Sequence, residues 1–263
     1  MIYKTIDHLD LVQTAESGQT FRWIKKENGY IIPAFSRVLE IKPHENGFEL
    51  SCNEQEWEDI WKEYFDLETD YRCIEDIIMS KGDPHLKACF LKGSGIRILR
   101  QDPFEMIVTF LISQNNNIPR ITGSVKKICD RFGSEIKDGI STFPGPFDIP
   151  PGSLYDKSLG LGYRSEYLEL MYEYARNNEG FIDALKALDH DHLVAELKKH
   201  KGIGEKVANC ISLFGFHHAE SFPVDTHVKQ LLAAYYPGGL DLSPYPGFAG
   251  IVQQYLFYNE ING

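Results

Sequence analysis

The sequence predicts an α+β fold, in which an N-terminal antiparallel β-sheet domain precedes an all-α domain. Short strand-like runs separated by Asn-Gly turns extend to about residue 52, and an apolar pattern of helical period begins near residue 54. Beyond residue 95, segments with helical patterns alternate with loops rich in Pro and Gly. We therefore expect an N-terminal β-sheet domain with helices over residues 1–95 and a helical domain over residues 96–263.

The predicted sheet contains four runs rich in β-branched and aromatic residues. They cover residues 21–23, 30–35, 38–42 and 47–52. Glu-Asn-Gly sequences at 27–29 and 45–47 separate such runs and are typical of tight hairpin loops. Because short loops of this kind join antiparallel neighbours, the sequence predicts an antiparallel sheet.

The first helical segment carries apolar residues at positions i, i+3, i+4 and i+7, which places them on one helix face. These residues are Trp57, Ile60, Trp61 and Tyr64. A strong helix start follows at Asp102, where an N-cap acid precedes Pro103 at the first helical position and Glu105 at the third. Pro- and Gly-rich breaks divide the remainder into short helices, at Pro119, 144–152, 160–162 and 202–204.

Composition places the chain among ordinary globular proteins, with 43% hydrophobic, 13% aromatic and 25% charged residues. Collagen-like, coiled-coil and largely disordered classes are excluded. No apolar run approaches the roughly 18 residues that a membrane span needs. Charged or polar residues at Asp7, His8 and Asp10 are unlike a secretory signal. We expect no targeting signal, no membrane partner and an intracellular location, in the cytoplasm or on a bacterial or archaeal nucleoid.

The five cysteines are scattered, at positions 52, 73, 89, 129 and 210, and contain no CxxC pair. An odd number without close spacing argues against a disulfide framework and against a zinc site. We therefore expect reduced thiols and no bound metal at cysteine.

The formal net charge of −11 argues, by itself, against nucleic acid as a partner. The charge is unevenly distributed, however. Residues 40–80 contain 13 acidic and three basic residues, whereas residues 81–131 contain nine basic and four acidic residues. We interpret Glu54 to Glu63, within this acidic segment, as a solvated helix face, which leaves other surfaces compatible with a polyanion.

The most informative segment is His-Lys-Gly-Ile-Gly-Glu-Lys at residues 200–206. Gly202 and Gly204 allow a tight turn between helices, and amides at such a turn beside a helix N-terminus favour a phosphate. A Gly-x-Gly sequence alone is only a turn in most proteins. Lys206 adds information, because it lies in the first helical turn, where the helix dipole disfavours a cation. We expect this field and burial to lower the pKa of Lys206 and so increase the nucleophilic fraction.

A second segment, Pro-Val-Asp-Thr-His, occupies residues 223–227, so that Asp225 follows Lys206 by 19 residues. Asp225 precedes an apolar-periodic run and is predicted to be a helix N-cap. Capping is a sufficient role for an isolated Asp. The segment therefore gains a catalytic interpretation only in combination with the hairpin and the lysine.

In combination, these motifs resemble the helix-hairpin-helix Gly-Pro-Asp (HhH-GPD) superfamily of DNA glycosylases in order and in spacing. The resemblance implies that Lys206 is the nucleophile that attacks C1′ of a damaged nucleotide. It also implies that Asp225 is the carboxylate that stabilises the positive charge developing on the sugar. An amine nucleophile forms a Schiff base with the sugar and permits strand cleavage by β-elimination.

The branch of the superfamily is indicated by what accompanies the lysine. Branches that end in a four-cysteine iron–sulfur loop do not match, because no cysteine follows Cys210, so no cluster is expected. Alkyl-purine glycosylases generally lack the lysine. The sequence therefore resembles the 8-oxoguanine DNA glycosylase branch. Similar segments lie at 17–23, 95–103, 114–120, 161–164 and 248–257, whereas residues 24–90 contribute little.

The resemblance implies a pocket for an everted 8-oxoguanine base. The Gly18 carbonyl would accept a hydrogen bond from N7–H, a proton that guanine lacks. Cys210 and Phe257 would lie on the two faces of the base. Gln253 would bind its Watson–Crick edge, and Pro223 would belong to the same pocket.

Other residues are implied to contact the DNA around the lesion. Asn115, Arg120 and Arg164 match residues that contact the cytosine left behind, and their donors suit its acceptors. Tyr163 matches the wedge that fills the space of the everted base. We therefore expect a preference for cytosine opposite the lesion.

At the hairpin, Gly202 and Gly204 are implied to contact phosphate, as is His227, whose alternative role is that of a helix-surface histidine. Lys201 replaces the proline that is usual in this hairpin, which costs rigidity but adds a cation near phosphate. A monovalent or divalent cation at the hairpin is also compatible with the resemblance.

The sequence thus leads to a bifunctional 8-oxoguanine DNA glycosylase and lyase that acts on double-stranded DNA as a monomer without a required cofactor. Two alternatives remain open. One is a monofunctional purine glycosylase that uses Asp225 and water. The other is a catalytically silent helix-hairpin-helix DNA-binding module.

Overall fold

The computed structural model describes residues 1–262, and it places an N-terminal antiparallel sheet before a mostly helical region. The predicted α+β class is therefore confirmed. Within the described residues the strands are β1 (Ile2–Lys4), β2 (Ile24–Lys26), β3 (Gly29–Ala34), β4 (Arg37–His44), β5 (Gly47–Leu50), β6 (Glu135–Lys137) and β7 (Ile140–Ser141). The first five strands form one antiparallel sheet in the order β1-β5-β4-β3-β2, and β6 and β7 form a small hairpin in the helical region.

The two Glu-Asn-Gly loops lie where the sequence predicts them. Lys26 is opposite Gly29 in the β2–β3 pair, and His44 is opposite Gly47 in the β4–β5 pair. Each loop thus contains two residues. Gly29 has φ of +114°, and a Cβ added there would lie 2.1 Å from the Ile41 carbonyl oxygen, so glycine is required at this turn.

Two details of the sheet differ from the prediction. The predicted run 21–23 is not a strand, because Phe21 packs into the core of the helical region, 6.3 Å from the Phe110 ring, and β2 begins only at Ile24. Strand β1, which pairs with β5, was not predicted. Its three residues are too few to show an alternating pattern.

The helices of the described chain are α1 (Leu11–Ala15), α2 (Glu54–Glu56), α3 (Lys62–Tyr64), α4 (Tyr71–Lys81), α5 (Pro84–Gly93), α6 (Pro103–Ser113), α7 (Ile118–Phe132), α8 (Arg164–Asn177), α9 (Phe181–Lys186), α10 (His190–Leu197), α11 (Glu205–Phe216), α12 (Thr226–Tyr235) and α13 (Ala249–Ile261). A π-helical turn, Trp57–Trp61, joins α2 to α3. Within residues 1–262, no helix is long and apolar enough to cross a membrane.

Predicted helix signals are confirmed at α6 and around the π-turn. The Asp102 carboxylate accepts a hydrogen bond of 2.8 Å from the Glu105 amide, and Pro103 occupies the first turn. The residues that share the predicted face, Trp57, Trp61 and Tyr64, are buried. Ile60 packs at the edge of the same cluster.

Buried apolar side chains form two clusters, one under the five-stranded sheet and one within the helical region. The side chains of α4 and α5, such as Ile78 and Phe90, belong to the helical cluster although they precede residue 95. The domain boundary at residue 95 stays a prediction. Apolar packing joins residues 71–93 to the helical region.

Helix packing brings the predicted functional segments together. Helix α11 packs on α6 and α10, and α13 packs on α5 and α12. The N-terminal turn of α11, the start of α12 and one side of α13 thereby meet the loop that follows α1. This meeting point contains the candidate site.

Candidate active site

A cavity that is open to solvent lies between the loop after α1 and the helices α11, α12 and α13. The lining residues are Ser17, Gly18, Phe110, Lys206, Cys210, Phe214, Pro223, Asp225, Gln253, Gln254 and Phe257. All seven residues predicted for catalysis or for the base pocket are in this set. Residues separated by more than 230 positions in the sequence thus surround one space.

Lys206 projects from the first turn of α11 and is half-buried, with its Nζ 5.8 Å from the centre of the Phe110 ring. Cys210, one helical turn further along, lies on the same face. The pKa of Lys206 is raised above its ordinary value. The Cys210 sulfur contributes most to this, burial of the amine opposes it, and the Asp225 carboxylate adds to it.

The prediction that the pKa of Lys206 is lowered is therefore wrong. The helix dipole and burial do disfavour the ammonium, but the prediction did not include the effect of the side chains of Asp225 and Cys210 near the amine. Asp225 and Cys210 come from outside the first turn of α11, and they favour the charged form of Lys206. The pKa of the Cys210 thiol is raised too, with burial as the main cause.

Asp225 is the N-cap of α12, as predicted. One carboxylate oxygen accepts a hydrogen bond of 2.8 Å from the Val228 amide. Among residues 1–262, no direct ion pair joins this carboxylate to Lys206, although both line the cavity. The capping bond fixes the carboxylate in orientation and uses one of its two oxygens.

Gly18 lies in the loop after α1 with φ of +77°, a conformation that favours glycine. A Cβ added there would lie 3.1 Å from the Phe257 ring. The neighbouring carbonyls are occupied: that of Ser17 accepts from the Gln254 side chain, and that of Gln19 accepts from Gln101 at 2.9 Å. Within the described residues the Gly18 carbonyl accepts no hydrogen bond. It is thus free to accept a hydrogen bond from a ligand.

Gln253, on α13, is 4% exposed, and its Oε1 has no hydrogen-bond partner within the described chain. A buried amide oxygen without a partner costs about 1–3 kcal/mol. Since Gln253 lines the cavity, a donor on a bound ligand would remove this cost. Phe257 lies one turn further along α13 and forms another part of the wall.

At the hairpin before α11, the two glycines have different requirements. Gly202 has φ of +90°, and a Cβ there would lie 2.5 Å from the Tyr167 ring, so both conformation and space require glycine. Gly204, the N-cap of α11, has extended backbone, and a Cβ there would meet open space. The Lys201 ammonium is paired with Glu166 at 2.6 Å. This pairing offsets the positive charge of Lys201, which the sequence predicts to lie near a phosphate.

The residues predicted to contact the surrounding DNA lie outside the cavity lining. Asn115 is exposed with φ of +45°, in the turn between α6 and α7, and Arg120 is exposed on α7. Tyr163 is 52% exposed beside this turn, its hydroxyl 3.3 Å from the Gln114 carbonyl. His227 is exposed on α12.

Arg164 occupies an environment that the sequence did not indicate. It is 5% exposed, and its guanidinium donates to the carbonyls of Gln114, Asn115 and Leu161. These bonds stabilise the turn that carries Asn115. A contact of Arg164 with an opposite cytosine stays a prediction, and it requires some of these donors to be released.

Comparisons with known proteins show the family of the chain. Residues 1–107 match the model of the 8-oxoguanine DNA glycosylase N-terminal domain. A Clostridium acetobutylicum 8-oxoguanine glycosylase/lyase, solved in complex with double-stranded DNA containing cytosine opposite 8-oxoguanine, is 32% identical over 100% of this chain and 98% of that one, with a TM-score of 0.90. The chain belongs to the 8-oxoguanine DNA glycosylase family.

Two relatives of this 8-oxoguanine DNA glycosylase family member are named as N-glycosylase/DNA lyases. An N-glycosylase/DNA lyase of Saccharomyces cerevisiae is 28% identical, covering 85% of this chain and 67% of that protein. A probable N-glycosylase/DNA lyase of Methanothermobacter thermautotrophicus is 29% identical, covering 89% of this chain and 84% of that protein.

Sequence reasoning did not assign four lining residues of this family member to the cavity: Ser17, Phe110, Phe214 and Gln254. Phe110 stacks on Phe214 with ring centres 5.4 Å apart, but it lies in an apolar run that indicated only core. Gln254 was overlooked beside Gln253. Two adjacent glutamines in an otherwise apolar helix are a signal that could have identified it, because buried amides need partners.

Proposed function

We propose that this protein excises 8-oxoguanine from double-stranded DNA and then cleaves the strand, as a bifunctional DNA glycosylase and lyase. The observation that carries the proposal is one cavity lined by an amine at Lys206, a carboxylate at Asp225 and two unoccupied acceptors, the Gly18 carbonyl and the Gln253 Oε1. Family membership and the two glycosylase/lyase relatives support the same reaction.

Recognition of the lesion follows from the two acceptors. The base 8-oxoguanine differs from guanine in carrying a proton on N7, and the Gly18 carbonyl would accept a hydrogen bond from this N7–H group. Guanine presents a lone pair there and meets repulsion instead, an effect worth about 1–3 kcal/mol in a desolvated site. Gln253 would accept from the N–H groups of the Watson–Crick edge, while Phe257 and Cys210 contact the faces of the base.

The chemistry requires both charged groups. The Lys206 nitrogen forms a bond to C1′ as the bond from C1′ to the base breaks, and the base leaves with that electron pair. The Asp225 carboxylate stabilises the positive charge that builds up on the sugar during this exchange. Opening of the sugar ring gives a protonated Schiff base. Loss of a proton from C2′ then expels the 3′ phosphate by β-elimination.

Because the pKa of Lys206 is raised, its amine is mostly protonated at neutral pH. Attack therefore requires loss of one proton from the ammonium first. Asp225 fits this step as well. A carboxylate near the ammonium can accept its proton when a bound sugar changes the relative proton affinities of the two groups.

Contact with DNA is assigned to surfaces around the cavity. The amides at Gly202 and Gly204 suit a phosphate, because neither donates a hydrogen bond within the described residues and both lie next to the N-terminus of α11. His227 is exposed nearby on α12 and is assigned to phosphate as well. Tyr163 would fill the space left by the everted base, and Asn115 and Arg120, both exposed, would contact a cytosine opposite it.

Further parts of the proposal concern cofactor, assembly and location. The reaction as written needs no cofactor. Residues 1–262 hold no cluster of three or more His, Cys, Asp or Glu suited to a metal, so a cation at the hairpin would be bound by backbone carbonyls and water. Measurement of DNA binding in potassium and in sodium buffers of equal ionic strength tests whether this cation is bound.

We place the protein inside the cell, where it meets DNA as a monomer.

Incubation with a duplex containing one 8-oxoguanine opposite cytosine, in the presence of borohydride, tests the proposed reaction. Borohydride reduces a Schiff base to a stable covalent adduct. The proposal predicts base release, strand cleavage and an adduct, all lost in Lys206→Gln. Base release without an adduct would indicate a monofunctional glycosylase, and DNA binding without base release would indicate a silent binding module.

A further inference from the structure

A buried charged cluster lies away from the cavity, between the N-terminal part of the chain and the far end of α11. Its centre is Asp66, which follows α3 and is 0% exposed. The Asp66 carboxylate lies 3.2 Å from the His217 Nε2 and accepts a hydrogen bond of 2.9 Å from the Arg100 Nε. Among the described residues neither facing atom, Asp66 Oδ2 or His217 Nε2, makes a hydrogen bond, so their contact is one of charge and close approach inside a buried site.

His217 belongs to the helix that carries Lys206. It is the C-cap of α11, with φ of +57°, and its amide closes the last turn by donating to the Ser212 carbonyl. Asp66 also has a positive φ, of +54°. Left-handed backbone is unfavourable for residues other than glycine and is retained where surrounding contacts require it. His217 and Asp66 thus both have left-handed backbone, and the contact between their side chains is one of the interactions that retain it.

The same aspartate is connected to the loop that carries Gly18. The Arg97 guanidinium donates to the backbone carbonyls of Asp66 and Phe65. The Arg97 carbonyl in turn accepts a hydrogen bond of 2.9 Å from the Gln19 side chain. Gln19 directly follows Gly18, and its Oε1 accepts from the Leu99 amide at 2.8 Å.

A continuous set of polar contacts therefore joins the Gly18 loop, through Gln19, Arg97 and Asp66, to His217 at the end of α11. Excision needs two groups from these two places at once, since the Gly18 carbonyl recognises the base while Lys206 attacks its sugar. A displacement of about 1 Å between such groups can cost about a hundredfold in rate.

We propose that Asp66 is a positioning residue that fixes the Gly18 loop relative to the Lys206 helix through His217. Asp66 contacts neither the base nor the sugar. The inference rests on the proposed function, because it concerns the alignment of base recognition with attack. It separates the two activities: excision of 8-oxoguanine uses both places, whereas cleavage at a preformed abasic site uses Lys206 without a base in the pocket.

The test compares Asp66→Asn with wild type in single-turnover excision of 8-oxoguanine and in cleavage of the same duplex with an abasic site. Asn keeps the shape of the side chain but removes its charge. We expect excision to fall about tenfold or more and abasic-site cleavage to change less than about threefold. Glu68→Gln is the matched control, because it removes an exposed carboxylate two residues away, and it should change neither rate.

Amide hydrogen exchange on the same proteins gives a readout independent of activity. Asp66→Asn should accelerate exchange at Leu99, whose amide binds Gln19, and at His217, whose amide closes α11. Equal loss of both activities, no loss of either, or acceleration at only one of the two amides would overturn the proposal.

Two further outcomes are separated by design. If Asp66→Asn does not fold, His217→Asn is measured instead, since it removes the other partner at the end of α11 and carries the same prediction. If the wild-type protein releases no 8-oxoguanine, the proposed function is overturned. Hydrogen exchange then still decides whether Asp66 couples the Gly18 loop to α11.

Discussion

At Lys206, the surroundings favour the ammonium, whereas the proposed reaction requires the free amine. The raised pKa of Lys206 means that the fraction of neutral amine is small at neutral pH. As long as the pH stays below that pKa, this fraction grows about tenfold for each unit by which the pH rises. We therefore predict that the single-turnover excision rate rises between pH 6.5 and 8.5 with a slope near one on logarithmic axes. A rate independent of pH across this range would show that deprotonation of Lys206 does not limit excision.

Gly18 combines a backbone requirement with a contact across the cavity, and the two can be separated. Gly18→Ala introduces strain of about 1 kcal/mol and a methyl group against the Phe257 ring. Gly139→Ala is the matched control, because Gly139 has φ of +75° but open space around its Cβ. We expect similar losses in the free energy of unfolding by urea, and loss of excision only in Gly18→Ala. Normal excision by Gly18→Ala would contradict the pocket assignment.

Gln253 carries an unpaired buried oxygen, so its presence is costly unless a ligand binds it. Gln253→Leu should leave the free energy of unfolding unchanged or raise it by about 1 kcal/mol, while excision falls about tenfold or more. The adjacent Gln254→Leu should instead destabilise the protein, because its amide binds the Ser17 carbonyl. Thermal unfolding and single-turnover excision of both variants measure this contrast. A stability loss in Gln253→Leu would show that the oxygen is paired.

At the scale of elements, helix α12 uses Asp225 for capping, and the proposed reaction uses the same side chain for charge. Asn caps helices about as well as Asp, whereas it carries no charge. Asp225→Asn should therefore retain the free energy of unfolding and lose about a hundredfold or more in excision rate. Asp225→Ala should lose both activity and about 1 kcal/mol of stability. Calorimetry and excision assays on the pair check this, and an active Asp225→Asn would contradict the role of the charge.

The elements also show why parts of the site were predictable. Local signals were sufficient for the N-caps at Asp102 and Asp225 and for the hairpin glycines, because each depends on a few adjacent residues. The environments of Arg164 and Lys206 depend on other elements: carbonyls from the turn after α6 surround the first, and Asp225 contributes to the second. Such contacts have no local signature in a single sequence.

For the whole molecule, the alternation of strand-like runs and Asn-Gly turns was enough to predict the sheet and its antiparallel pairing. The three-residue strand β1 and the packing of Phe21 into the helical region were not predictable, because both are set by tertiary neighbours. The same holds for α4 and α5. Their sequence precedes the expected boundary at residue 95, yet their apolar faces are buried with the helical region.

The buried Asp66 carboxylate, which contacts His217 and Arg100, makes the stability of the fold depend on pH. Burial raises the pKa of its carboxyl, but His217, Thr69 and Arg100 outweigh burial, and the pKa lies below the ordinary value. Arg97 also faces the cluster through the Asp66 carbonyl. A lowered pKa means that the carboxylate stabilises the fold above the ordinary pKa of about 3.9, and that this contribution is lost as pH falls further toward the folded-state value.

We therefore predict that wild type loses more free energy of unfolding than Asp66→Asn when pH falls from 5.5 to 3. At pH 5.5 the variant should itself be less stable by about 1.5 kcal/mol, since the partly exposed Arg100 guanidinium loses its charged hydrogen-bond acceptor. Urea unfolding at the two pH values measures both differences. Equal acid sensitivity of the two proteins would contradict a lowered pKa at Asp66.

The most direct measurement for the whole account is the location of the covalent bond to DNA. After borohydride reduction on a duplex with one 8-oxoguanine, the adduct is digested with protease and nuclease and its peptide is sequenced by mass spectrometry. The account predicts that the sugar remnant is attached to Nζ of Lys206, in the first turn of α11. Attachment to any other amine of the chain, or base release with no attached sugar, would contradict it.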